Sequence, residues 1–276
     1  MPMDLSPQPF VSDSRGSRLA AWGTVDDPAG HHLWLRGTDE IQAQVAAAEP
    51  AYAVVPLPAE VASAWTHVLR GPGCLQPRVW TLLDLLKEVI TLPRPTNLRT
   101  ALALDWYKRP VGIDPYSWPN SEVGDLVHRG KYRYRLDDAK QGEVGRKLVS
   151  LVCDVVTRHP VMQRVDVVLD VPGHDASQVS FGSRMAATVA RDLSKQRVRV
   201  KSRDEFRAPS KNLDAAQRAD VISNRFYVET TIEGSIALVV DDVFRSGDSM
   251  NETARAALEA GASTVYGICS VRTMRR

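Results

Sequence analysis

Cysteine is scarce: the 276 residues hold three, Cys74, Cys153 and Cys269, and none lies in a CxxC pair. That argues against a structural zinc site or a disulfide framework, and it predicts reduced, mostly buried thiols. No uninterrupted apolar stretch approaches the ~18 residues of a membrane-spanning helix. The opening MPMDLSPQPFVSDSRGSR lacks the apolar core of a secretory signal. Together these absences predict a soluble, cytoplasmic protein with no membrane partner. Charge of one sign is nearly lacking too: the formal net charge of +2 is too small for a purely electrostatic nucleic-acid binder, although charge can be local. There is no internal repeat and no low-complexity tract. What remains is 43% hydrophobic and 25% charged residues, an ordinary globular composition that excludes disorder and collagen, with length for about two domains.

The first 17 residues, rich in Pro and Ser, read as a mobile tail. HHLWLRG near His31 and AYAVVPLP near Ala51 look like short strands, a helical period follows from Glu60 to Leu69, and WTLLDLLKEVI, Trp80 to Ile90, has helical spacing. The stretch from Leu92 to Asn120 is dense in Pro and Trp, so a boundary near residue 120 is expected, with an N-terminal region over 18–120 of unread role. Two segments are locally basic: HRGKYRYR, His128 to Arg135, and the stretch from Arg191 to Lys211. Cations interleaved with aromatics can hold phosphates or stack bases. Such runs also occur as solvated faces, and RVRVK also reads as a half-exposed strand.

The second half has a different rhythm. VDVVLDVP, a helix from Ser180 to Leu193, RVRVK, a helix from Leu213 to Ile222, RFYVE, SIALVVDDV, a helix closed by Gly261 and a strand from Thr264 to Val271 follow in turn. Strands alternating with helices predict an α/β fold with a doubly wound, mostly parallel sheet over 121–276, beside an additional N-terminal α+β region. In such sheets ligands bind at the carboxyl ends of the strands.

One segment carries chemistry, SIALVVDDVFRSGDSMNETARAALEAGAS, Ser235 to Ser263. A buried strand delivers Asp241 and Asp242 to its carboxyl end, a loop of small polar residues follows, and a helix begins at Ser249 or Met250. Gly247 lets the backbone turn tightly, so successive amides point into one concavity with the helix dipole behind it, a phosphate cradle. Ser246 and Ser249 can donate hydrogen bonds and Arg245 can add a cation. The paired carboxylates suit the vicinal hydroxyls of a ribose lying just before the phosphate. An acidic pair after an apolar strand also holds Mg²⁺ in P-loop NTPases. That alternative needs a Walker A loop, and the nearest stretch, GDLVHRGKY from Gly124, has one residue too many between its glycines and Tyr132 where Ser or Thr is required.

At these residues, VVDDVFRSGDS and EAGAS, the chain resembles the type I phosphoribosyltransferases. Within them it resembles the competence-protein ComF-like members, through Leu213, Arg218, Phe226 and the GKYRY near Lys131, without their N-terminal four-cysteine zinc module. The resemblance spans about 123–273. It implies that Asp241 and Asp242 contact the ribose of phosphoribosyl pyrophosphate (PRPP) and that Arg245, Ser246, Gly247, Asp248 and Ser249 bind its 5-phosphate. It also implies Mg²⁺ entering with the ligand as cofactor, not held directly by the protein. Arg245 stands where a hydroxyl residue is common, and Asp248 places a negative charge in the loop. Where the family's pyrophosphate arginine belongs, this chain reads Val179-Ser180-Phe181-Gly182, with His174 and Arg184 as replacement candidates. Two functions of different class are implied. One is an enzyme transferring a phosphoribosyl group from PRPP to a nitrogen base with release of pyrophosphate, Asp241 and Asp242 being its catalytic residues. The other is a non-catalytic module that senses PRPP or a nucleotide, or serves DNA handling. The partner is a small phosphoribosyl ligand, with nucleic acid and a second copy of the chain left open.

Overall fold

The computed structural model describes residues 13–27, 30–71, 73–93, 96–111, 114, 117–173, 178–203 and 224–274. His174, Leu213, Arg218, Lys211, the helix expected from Leu213 to Ile222 and most of the N-terminal tail lie outside them. Among the described residues no helix is long and apolar enough to cross a membrane. The chain divides into two compact units, residues 1–93 with 157–163, and residues 94–156 with 164–276.

The first unit contains β1 (Ala21–Asp27), β2 (Gly30–Arg36), α1 (Asp39–Ala48), β3 (Ala53–Val55), β4 (His67–Gly71), α2 (Pro77–Glu88) and the short β5 (Ile90–Thr91). Its sheet runs β1-β2-β4-β3, antiparallel throughout. Alternation along β2 buries every second side chain, Leu33 and Leu35 among them, and α2 turns Val79, Leu82, Leu83, Leu85 and Leu86 inward at helical spacing. The helical period read from Glu60 to Leu69 is overturned. Ala59–Val61 forms a 3₁₀ segment followed by a turn over 62–64, and β4 takes over at His67, because Val68 and Leu69 are needed against β2 and β3. His159, fully buried in this unit, meets Gln44 Oε1 through Nε2 at 3.1 Å. Burial pushes its pKa down to about 3, so it stays neutral. Cys269 is buried, Cys153 half-buried and Cys74 exposed, so the expected burial of the thiols fails at Cys74.

The second unit is the doubly wound α/β part. Its elements are β6 (Thr100–Trp106), α3 (Glu122–His128), α4 (Asp138–Arg158, whose last two residues count with the first unit), β7 (Val167–Asp170), α5 (Phe181–Asp192), β8 (Gln196–Val198), β9 (Val200–Ser202), β10 (Phe226–Val228), β11 (Ile236–Phe244), α6 (Asp248–Glu259) and β12 (Thr264–Arg272). Strands β6, β12, β11, β7 and β8 lie side by side in that order, every neighbouring pair parallel. Their apolar runs are buried on both faces, as in β11, where Leu238, Val239 and Val240 are fully enclosed. β6 precedes the residue 120 at which composition suggests the second domain begins, yet it pairs with β12. RVRVK divides between two sheets: β8 extends the parallel sheet, while β9 pairs antiparallel with β10.

From the junction of β7 and β11 the crossovers run in opposite directions, β7 to β8 and β11 to β12, which makes it a topological switch point. The two helices therefore cover opposite faces. On β12 this shows directly: Ser270 bonds Met185 of α5, whereas Gly267, of opposite parity, is approached by Met250 of α6 so closely that a Cβ would stand 2.7 Å from its sulfur.

Candidate functional site

Near the carboxyl end of β11, two and three residues before Phe244, lie Asp242, 95% enclosed, and Asp241, half-buried. In register, Val240 lies beside Asp170 at the end of β7, so both acidic strand ends flank the switch point. α5 meets this corner at Gly182, where a Cβ would stand 3.5 Å from Asp241 Oδ1. Asp241 Oδ1 accepts the Asp242 amide at 2.8 Å. Burial first, and the neighbouring Asp242 charge second, push the Asp241 carboxyl above the ordinary carboxylate range. The thiol of Cys269, its partner across the ladder, is raised by burial and by the same carboxylate.

Asp242 is held by a residue 111 positions away: Lys131 Nζ donates to Oδ1 at 3.1 Å and stands 2.9 Å from Oδ2. Lys131 sits in a π-helical turn, Arg129–Arg133, that continues α3. Gly130 of that turn lies so close to Phe181 that a Cβ there would meet its ring. Burial opposes the lysine charge, but Asp242, by charge and hydrogen bond, outweighs it and holds the ammonium above its ordinary pKa. Oδ2 of Asp242 is buried and has no hydrogen bond besides its 2.9 Å ion pair with that ammonium. A buried carboxylate oxygen in that condition is a ready acceptor for a hydroxyl donor.

After Phe244 the chain turns through Arg245, Ser246 and Gly247 into α6. Gly247 is the N-cap, at φ +91°, in the left-handed region that a branched side chain resists. No side chain caps the helix, so its first amides are left to solvent or a ligand. Ser246 Oγ donates to Asp248 Oδ2 at 2.6 Å, so the hydroxyl expected to face a phosphate is turned to the loop's own acid. Arg245 is exposed and Ser249 half-buried. Arg272 braces the loop from β12, donating to the carbonyls of Phe244 and Arg245 and lying over the Phe244 ring at 5.2 Å, and the Thr273 amide donates to Phe244 O at 3.0 Å.

The structure thus gathers Asp241, Asp242, Arg245, Ser246, Gly247, Asp248 and Ser249 at one corner. Arg184 is exposed on α5, Val179 is exposed just before it, and His174 lies outside the described residues. Sequence reasoning passed over Lys131 as a site residue, together with Asp170 and Arg272. Asp170 and Arg272 had a signal: each is a charged residue closing an apolar strand, as Asp241 is. Asp170 is tied to its own chain through Oδ2, which accepts from Ser183 Oγ at 2.5 Å and stands 3.5 Å from Arg197 Nη2, while its Oδ1, also buried, receives no hydrogen bond. The basic stretches also find partners within the unit: Arg129 with Asp125, Lys201 with Glu229, and Arg203 over the Tyr227 ring. Among the described residues no group of three or more His, Cys, Asp or Glu side chains is gathered to hold a metal.

No family model matches the chain, and no curated protein matches it. Solved structures do match it. Orotate phosphoribosyltransferase from Aeropyrum pernix is 23% identical, with 50% of this chain and 63% of that one covered, at a TM-score of 0.31. Phosphoribosylpyrophosphate synthetase from Mycobacterium smegmatis is 16% identical, covering 45% and 33%, at 0.30. Adenine phosphoribosyl transferase from Trypanosoma brucei, in complex with AMP, pyrophosphate and ribose-5-phosphate, is 13% identical, covering 60% and 86%, at 0.35. The chain therefore spans less than two thirds of the first two proteins. Likeness of this size carries no weight for activity.

Proposed function

We propose that the second unit binds PRPP or a nucleotide containing ribose 5-phosphate, and transfers the phosphoribosyl group to a nitrogen base with release of pyrophosphate. The observation that carries this reading is the pairing, at one strand end, of a buried carboxylate oxygen without a hydrogen bond and a helix start without a cap. The first suits a ribose hydroxyl and the second suits a phosphate. The resemblance of VVDDVFRSGDS to the type I phosphoribosyltransferases, and of GKYRY with Lys131 to their ComF-like members, agrees with it.

In this reading the Gly247 turn and the first amides of α6 take the 5-phosphate, while Asp241 and Asp242 accept from the ribose hydroxyls. Fixing both ends of the sugar holds C1 for attack. The C1–oxygen bond breaks with its electron pair leaving on pyrophosphate, and the lone pair of the base nitrogen forms the new bond to C1. The residues present fit a Mg²⁺ that arrives on the diphosphate, because two carboxylates, Asp241 and Asp242, lie side by side near the carboxyl end of β11. Bound there, it would neutralise charge on the leaving group.

Calorimetric titration with PRPP, ribose 5-phosphate and nucleoside monophosphates, each with and without Mg²⁺, tests the reading. Mg²⁺-dependent PRPP binding, followed by pyrophosphate release on adding a base, is expected. Binding of monophosphates alone would make the site a sensor, and binding of none of these ligands would remove the reading.

A further inference from the structure

We infer that Lys131 is the cation that receives the diphosphate of the ligand, in the place left by Val179. The inference rests on the site reading above and deepens it.

Among the described residues Lys131 is the cation paired with the acidic end of β11, and both of its distances to Asp242 are at or near 3 Å. Lys131 sits in the turn Arg129–Arg133 with its ammonium on Asp242, and 34% of its side chain stays exposed, so the residue is not sealed inside the unit. Sugar stereochemistry supplies the next step. The hydroxyl pair that the carboxylates would accept includes the one on C2, and C2 is one bond from C1, which carries the diphosphate. With Asp242 taken as the acceptor of that C2 hydroxyl, a cation within hydrogen-bond distance of Asp242 stands beside the C1 substituent. One ammonium proton can stay on Asp242 Oδ1 while the others turn to diphosphate oxygens, since lysine carries three donors.

The alternatives are less well placed. Arg184 is exposed on α5, and Arg272 is committed to the loop carbonyls. Arg197 stands against Asp170 and the Ser183 carbonyl.

The test titrates PRPP, ribose 5-phosphate and inorganic pyrophosphate into the full chain and into Lys131→Met and Lys131→Arg. Lys131→Met should weaken PRPP and pyrophosphate binding tenfold or more while leaving ribose 5-phosphate within twofold, and Lys131→Arg should restore most of the loss. Equal loss for PRPP and ribose 5-phosphate would overturn the inference and leave Lys131 as a strut for Asp242, as would unchanged pyrophosphate binding. Thermal unfolding of each variant separates either result from misfolding, and the arginine variant keeps the test open if the methionine variant is unstable. If the wild-type chain binds pyrophosphate through Lys131 but no ribose ligand, the inference stands and the ribose reading falls. If it binds neither PRPP nor pyrophosphate, the inference falls as well.

Discussion

Two helices begin at the same corner of the sheet, and they begin differently. At α5, Ser180 Oγ accepts the Ser183 amide at 3.0 Å, and the Ser183 hydroxyl passes on to Asp170. That start is answered by its own chain. At α6, a left-handed glycine stands in the capping position, no side chain reaches the amides, and the nearby serine hydroxyl is turned to Asp248. Helix α1 also lacks a side-chain cap, but it carries two acids in its first turn, Asp39 and Glu40, against the single Asp248 of α6. A helix start closed by serine and aspartate is structural, whereas one left open behind an acidic strand end is suited to a ligand.

Substituting Gly247→Val attacks the open start most strongly. Valine at φ +91° costs about 1–3 kcal/mol in backbone strain, and its branched side chain fills the turn. Ligand binding should fall about a hundredfold, as expected when charge-assisted hydrogen bonds of roughly 1.5–3 kcal/mol are lost. Titration of the variant checks this, and unchanged affinity would dissolve the distinction between the two starts.

Asp241→Asn sharpens the comparison through pH. The Asp241 pKa is raised in the fold, so ionisation favours the unfolded chain, and wild-type stability falls as pH rises through that raised value. Asparagine keeps an oxygen for the Asp242 amide and cannot ionise. The variant should be more stable than wild type near pH 8, on the order of 1 kcal/mol. The advantage should vanish below the ordinary carboxylate range, and ribose-phosphate binding should weaken. Denaturant melts at both pH values measure it, and a stability difference independent of pH would assign the change to packing.

The smallest effect is expected at the closed start. Ser180→Ala removes the α5 cap and should cost about 1 kcal/mol of stability, with ligand affinity unchanged within twofold. A large loss of affinity would show that α5 belongs to the site as much as α6 does.

The strand-loop-helix from Ser235 to Ser263 was legible because its signals are local: an apolar run, an acidic pair, one glycine in the turn and another after the helix all lie within thirty residues. The doubly wound sheet was legible for the same reason, as alternation of period. The Lys131–Asp242 pair was not, since nothing in GKYRY says which carboxylate it meets 111 positions further on. β4 was misread because Ala62, Ala64, Trp65, Val68 and Leu69 fit a helical period as well as a strand, and the choice was made by the neighbouring strands. β6 was hidden in a stretch whose prolines and tryptophans dominate the composition around a short apolar run, TALALDW.

That position of β6 has a consequence for how the chain is made. Its partner in the sheet, β12, is synthesised more than 150 residues later, which at ribosomal speeds is a wait of roughly 10–30 s. During that time the edge of an apolar strand that will carry β12 is available without it. Closing so long a loop adds little to the equilibrium cost but slows assembly. A nascent chain that pauses before Thr264 therefore exposes β6 to wrong pairing, and synonymous codon changes that lengthen the pause should raise aggregation without altering a single side chain.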